Sequence, residues 1–393
     1  MKEKKTMIKM MVVFALNYFS FTIPYILMIP FLEKIGYSGT QQGLILAIGS
    51  LLGLFGQMIF GYLCDKYRTV KKLMYVVLVL LGLFTWTFYM YSGNQFILHL
   101  AIGSFMHGFF MIGCGVLDSW GLEADETCTR NYGSIRAFGA IGWIIGGPMV
   151  AWLSSEFGYS YFGIAFAIIT VINVLISSFA PDAQKPEVTT KEEINMKDIK
   201  ELLKNKKYTI LLAIFFIAFF ILQAEAFLSI QKIVALSQGN SDYYASLKSS
   251  AQALTELPFF FLGGYLIKKF GSTKLLLVAM VFYVVRIMGG VLANEAMHVV
   301  FVSGLQMLTF PFISITSKAM IDEEIPEKLR STGQQFAVAV YNCGAAFMAP
   351  LLCGFMMDNL GVDRSLIALT VCPIIAIYLC FVYSRMKRKT AHA

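Results

Sequence analysis

Long apolar runs alternate with short polar breaks along almost the entire chain. Twelve of these runs reach about 20 residues, the length a helix needs to cross the hydrocarbon core of a bilayer. They fall at 10–32, 41–63, 73–92, 96–118, 133–154, 159–180, 208–234, 244–267, 274–293, 297–318, 333–357 and 364–384. Lipid offers the backbone no hydrogen-bond partner, so each run is read as a helix that pairs its own N–H and C=O groups. The pattern therefore predicts an all-α membrane protein with twelve transmembrane helices.

The longest polar stretch, 181–207, separates six runs from six. It contains Pro181, Pro186 and a charged run from Lys191 to Lys207. It reads as a cytoplasmic linker, partly a surface helix, between an N-terminal six-helix half (1–180) and a C-terminal one (208–393). The halves echo each other. Gly61-Tyr62-Leu63 closes the second run and Gly264-Tyr265-Leu266 the eighth, while Pro148 and Pro350 sit at similar offsets in the fifth and eleventh. Two pseudo-symmetric six-helix repeats are a transporter architecture.

Composition sharpens this picture. The chain is 57% hydrophobic and only 14% charged, with a mean hydropathy of +0.67. A soluble protein of 393 residues has no means of hiding that much apolar surface. The net charge of +8 would suit nucleic acid, but the excess lies in short loops between apolar runs. With the N-terminus inside, 26 of the 32 Lys and Arg fall on the cytoplasmic side, so both termini are expected there. The basic segment Met1–Met10 leads into an apolar run with Pro24 and Pro30 and no small-residue cleavage site; it reads as the first span, not a signal peptide. The seven cysteines are scattered, mostly inside apolar runs, with no metal-ligand spacing. No cofactor is expected, and no GxxxxGK[ST] loop marks an ATP motor.

Five ionisable residues interrupt the apolar runs: Asp118, Glu225 and Glu256 against Arg136 and Arg286. Each is costly in a bilayer, and such groups mark substrate or proton pathways. Three acids against two arginines leave one carboxylate unpaired, and an unpaired buried carboxylate takes up a proton. Glu256 and Glu225 are the candidates, with Arg286 the cation able to displace the proton. Lys248, about a turn inside the eighth run, balances the count if it does not reach outward. His107 stands alone on its helix and is read as a packed residue.

Gly61-x-Leu63-x-Asp65-Lys66, with Arg68 and Lys71-Lys72 following, resembles the cytoplasmic loop signature of the major facilitator superfamily. The usual Gly after the first basic pair is missing; Tyr67-Arg68 stand there. The resemblance implies that Gly61, Asp65, Lys66 and Arg68 latch the inward gate, with Asp65 at the electropositive N-terminal end of a helix such as the eleventh span.

Tyr132-Gly133-Ser134-Ile135-Arg136-Ala137-Phe138-Gly139-Ala140-Ile141-Gly142-Trp143 is similar to the helix-five signature of the lactose permease branch. The resemblance implies that Arg136 and Trp143 touch a sugar, with Asp118 as the partner carboxylate. Seven residues apart, Arg136 and Trp143 face the same way. Tyr18 and Gln306 join them as candidate substrate contacts. Arg286 aligns with an arginine of the branch, yet the branch's proton relay is not carried over: its His and Glu positions in helix ten hold Gln306 and Thr309.

These readings converge on a secondary transporter, expected to be a monomer, that moves a small polar solute by alternating access. Proton symport of a sugar or glycoside is the first expectation. Uptake of a nucleoside or aromatic acid suits Arg plus Trp almost as well, and a drug/proton antiporter is a further option. A membrane enzyme would need a nucleophile–base or metal cluster at matched depth, and a sensor would need an output domain; neither pattern is present in the sequence.

Overall fold

The computed structural model describes residues 2–183, 196–326 and 329–391, and among them every regular element is helical. The first six predicted spans correspond to α1 (Lys2–Tyr25) continuing into α2 (Met28–Ile35), α3 (Gly39–Tyr67), α4 (Lys71–Met90), α5 (Phe96–Glu123), then, after a short α6 (Glu126–Arg130), α7 (Tyr132–Phe157) and α8 (Phe162–Ser177). A surface helix, α9 (Met196–Lys204), leads to α10 (Lys206–Leu236), α11 (Ser241–Phe270) and α12 (Ser272–Leu292). The last three predicted spans are α13 (Ala296–Ser303) with α14 (Phe310–Glu324), α15 (Arg330–Val338) with α16 (Ala345–Leu360), and α17 (Val362–Leu369) with α18 (Val371–Ala391). Part of the predicted linker, 184–195, lies outside the described residues.

Among the described residues, eleven stretches are long and apolar enough to cross a membrane. The predicted eighth span is the exception. It lies in α11, a helix of 30 residues and so about 45 Å long at 1.5 Å per residue, but it carries Lys248, Gln252 and Glu256 on one face and is too polar to count among the eleven. Its polarity means that this face needs a protein or water neighbour instead of lipid.

Four spans expected as continuous helices are interrupted, the last of them at Thr370 between α17 and α18. In the tenth, α13 ends at Ser303, a 3-10 turn covers Gly304–Leu308, and α14 restarts at Phe310. Pro311 has no N–H to give to the carbonyl four residues earlier, so a regular α-helix cannot run through this point. In the eleventh, a wider π-turn at Ala339–Gly344 separates α15 from α16. A third break, after Tyr25, follows from Pro30, which withdraws the donor that would bond Ile26.

Small residues set the close helix pairs. A side chain at Gly142 of α7 would land on the Ala15 carbonyl of α1. One at Gly43 of α3 would land on the Pro350 carbonyl of α16, and one at Gly354 of α16 on the Gly39 carbonyl. Without a hydrophobic drive between helices in lipid, this close backbone approach supplies the van der Waals contact that holds them. Helices from before the linker thus pack on helices from after it, α3 on α16 and α7 on α11.

Side-chain bridges reinforce these seams at one end. Asp358, near the end of α16, accepts from the first amides of α3, Gly39 N at 2.7 Å and Thr40 N at 2.8 Å. Asp242, at the start of α11, accepts from Tyr159 Oη at 2.7 Å and from Ser154 Oγ at the end of α7. Gln231 of α10 donates to Gln42 of α3 at 2.6 Å. At the other end, Asp182 accepts from the amides of Val70 and Lys71 at 3.0 and 2.9 Å and from Thr69 Oγ at 2.5 Å, capping α4.

Candidate functional site

Residues from α1, α5 and α7 make the first cluster. Arg136 Nε lies 3.8 Å from Asp118 Oδ1, an ion pair too long for a direct hydrogen bond. That Asp118 oxygen is buried and accepts no hydrogen bond within the protein. The Arg136 guanidinium sits over the Tyr18 ring, 4.2 Å from its centre. The Arg136 and Asp118 side chains remain 32% and 41% exposed, so apart from that buried oxygen the pair is not sealed by packing.

Trp143, two turns along α7, meets the same Tyr18 at 6.4 Å between ring centres. It also meets Tyr25 at 5.7 Å and Phe110 at 6.3 Å. Tyr25 and Phe110 stack at 4.6 Å, and His107 stacks on both. Tyr18, Tyr25, Phe110 and Trp143 therefore form a continuous aromatic wall beside an ion pair. Tyr25 and Phe110 are not legible as site residues in the sequence, because aromatics are common throughout it and only the packing of α1, α5 and α7 selects these two. His107 is buried in this wall against Ser50 Oγ at 3.4 Å.

The second cluster comes from α10, α12 and the break between α13 and α14. Arg286 is 1% exposed. It donates to Glu225 Oε2 at 2.7 Å, to Thr309 Oγ1 at 2.9 Å and to Gln306 Oε1. The 3-10 turn is what presents Gln306 and Thr309 to it side by side. Gln306 is grouped here with Arg286, not with Asp118 and Arg136. Glu225 is likewise bound to Arg286, whereas Glu256 has no ion pair within 4 Å among the described residues. Glu256 stands beside Gln306, within electrostatic reach of Arg136 from α7 and of Arg286 and Lys248. It is the point at which the two clusters face each other.

Lys248 corrects the charge count read from the sequence. It does not reach outward: it is 3% exposed, and its ammonium donates to Gln252 Oε1 at 3.3 Å. The interior thus holds three cations for three acids, with no acid left over. The spacing of Lys248, Gln252 and Glu256, four residues apart in turn, was the available sequence signal, since it puts all three on one helix face.

Comparison with known proteins fits this arrangement. The MFS_1 like family matches residues 5–368. The chain belongs to that family. Its relatives include the melibiose permease of Enterobacter cloacae subsp. cloacae, 22% identical over 96% of this chain and 93% of the relative. The maltose permease of Geobacillus stearothermophilus is also 22% identical, over 96% and 95%. A crystal structure of the nucleoside transporter NupG superposes with a TM-score of 0.81 at 13% identity, over 97% of this chain and 99% of that one, which establishes the shared fold. The relatives spread over several permeases and do not single out the lactose permease branch. As an MFS-type protein the chain is a multi-pass protein of the bacterial cell membrane, a secondary transporter that moves a small solute by alternating access and catalyses no reaction.

The loop signature of this MFS chain closes α3. Gly61 has open space on its Cα side. Asp65 and Lys66 belong to the last turn. Arg68 caps the helix in the left-handed conformation, φ 52°, with its amide bonded to the Asp65 carbonyl. Arg68 thus holds the backbone shape that the missing Gly would adopt without strain.

Proposed function

We propose that the chain imports a nucleoside-like solute together with protons, using two six-helix halves, 1–180 and 208–393, that rock about the site. The observation that carries this reading is the aromatic wall of Trp143, Tyr25, Phe110 and Tyr18 beside the Asp118–Arg136 pair. A flat heteroaromatic base gains from stacking on such a wall. The exposed part of the Asp118 carboxylate and the forked donors of Arg136 suit ribose hydroxyls. The likeness in fold to NupG, whose name gives it as a nucleoside transporter, agrees.

Glu256 is the proton carrier in this reading. Arg286 already holds Glu225, so Glu256 is the acid free to exchange a proton. It also lies within electrostatic reach of Arg136, which links protonation in the later helices to substrate contacts in the earlier ones. Both termini and the linker lie on the cytoplasmic side, where the Lys and Arg residues concentrate. A second reading, a sugar or glycoside, is favoured by the names of the melibiose and maltose permeases; the faces of a pyranose ring also stack on tryptophan.

The test is proton movement in lightly buffered, de-energised cells that express the chain. Adding uridine or adenosine is expected to alkalinise the medium transiently, and Asp118→Asn and Arg136→Gln are expected to abolish the signal. Alkalinisation with melibiose or maltose but with no nucleoside would replace the first reading with the second. Uphill accumulation retained by Glu256→Gln would remove Glu256 as the carrier.

A further inference from the structure

Gln42, near the start of α3, is fully buried. Its Nε2 donates to Glu33 Oε2 of α2 at 2.6 Å and to the Tyr37 carbonyl at 2.9 Å, and its Oε1 accepts from Gln231 Nε2 of α10 at 2.6 Å. Neither a carboxylate nor a backbone carbonyl has a proton to give. The end of the amide between Glu33 and Tyr37 is therefore the NH2, and the oxygen must face Gln231. The support runs further. Tyr37 Oη meets His99 Nδ1 at 2.8 Å, and His99 Nε2 meets the Tyr91 carbonyl at 2.9 Å. That carbonyl only accepts, so in the neutral ring Nε2 carries the proton and Nδ1 takes the proton of the Tyr37 hydroxyl. Each link from Tyr91 through His99, Tyr37 and Gln42 to Gln231 thus has one direction. Only the last link crosses from the helices before the linker to those after it, at the end that Asp358 and Asp242 also bridge.

We propose that Glu33 is a positioning residue for alternating access: it holds the Gln42 amide with its oxygen presented to Gln231, and so sets how readily this end of the molecule closes. When the two sides part, Gln231 leaves and Gln42 Oε1 turns to water for a partner. Glu33 and Tyr37 belong to the same side as Gln42 and keep the amide aimed at the place to which Gln231 returns, so closure needs no reorientation. Without Glu33 the amide retains one acceptor, the Tyr37 carbonyl, and is free to turn its NH2 towards that of Gln231, a donor against a donor. A buried amide that has lost its partner in this way destabilises the closed arrangement by more than the bond itself contributes. The role holds for any solute carried, because it depends on the movement of the two sides and not on the substrate contacts.

The test is the distance between spin labels at the exposed Asn94 and Asn240, read on the purified full-length protein in lipid without substrate. Gln231→Leu breaks the crossing bond and leaves Gln42 Oε1 without its donor, and the ratio of long to short distances is expected to rise about tenfold. Glu33→Ala is expected to raise that ratio about threefold or more on its own. In the Gln231→Leu background it is expected to add nothing, because its effect runs through that one bond. Glu33→Gln keeps an oxygen able to accept from Gln42 and is expected to restore the distribution of the unmutated chain. An unchanged distribution in Gln231→Leu or in Glu33→Ala overturns the assignment. So does a Glu33→Ala shift that persists in full beside Gln231→Leu, which would make Glu33 a packing residue of α2, and so does an equal shift in Glu33→Gln.

Discussion

Trp143 shows how much one side chain decides at this site. Its ring joins Tyr18 and Tyr25 in one surface, so Trp143→Ala removes the middle of the wall while Trp143→Phe keeps a flat ring. Aromatic pairs of this kind contribute about 0.5–1.5 kcal/mol each beyond their area. Trp143→Ala is therefore expected to raise the apparent KM for the transported solute by about tenfold or more, and Trp143→Phe by much less, as read from initial uptake rates. Arg68 is a residue of a different kind, a non-glycine residue at φ 52°. Arg68→Gly is expected to leave the helix end intact or slightly more stable, because Gly adopts that conformation without cost. Thermal unfolding in detergent checks this, and a marked loss would show that the Arg68 side chain matters more than its backbone.

Asp182 acts through the start of a whole element. It caps α4 and, although partial burial opposes its ionisation, the hydrogen bonds from Thr69, Lys71, Ala183 and Val70 hold its carboxyl below the usual carboxylate range. A depressed folded value means that the cap stabilises at neutral pH and that this stabilisation is lost as pH falls through the folded value. Asp182→Asn is expected to cost about 1 kcal/mol at pH 7 and progressively less in acid, as measured by denaturation midpoints at a series of pH values. At the same scale, Gly43 and Gly354 let α3 and α16 touch backbone to backbone. Gly354→Leu is expected to push these helices apart and to abolish transport while the protein still inserts. Normal uptake by that variant would show that the seam yields more easily than its geometry suggests.

For the molecule as a whole, alternating access requires seams that both hold and release. Asp358 and Asp242 bridge helices from the two sides of the linker at one end. Asp358 works as an N-cap supplied from another helix, so it closes that end as long as it touches α3. Asp358→Asn is expected to weaken the closure by about 1–2 kcal/mol, a five- to thirtyfold shift in population. Spin labels at Asn94 and Asn240 would report it as a larger share of long distances. A distribution matching that of the unmutated chain would mean that the glycine seam alone sets the closure.

The sequence by itself determined the membrane class, the helical content and the approximate places of the spans. Hydrophobic run length and the obligation to pair the backbone in lipid leave little choice there. It also exposed the intramembrane charges, since an ionisable residue in an apolar run stands out without any coordinates, and the seven-residue spacing of Arg136 and Trp143 put them on one face. Only the tertiary structure decided which charges pair. Glu225 belongs to Arg286, 61 positions away, Lys248 is buried, and Gln306 serves Arg286, 20 positions away, because the packing of α10 on α12 and the break before Pro311 bring these side chains together. Spacing within a helix can be counted along a chain; contacts between helices depend on rotations and small-residue seams that no local pattern encodes.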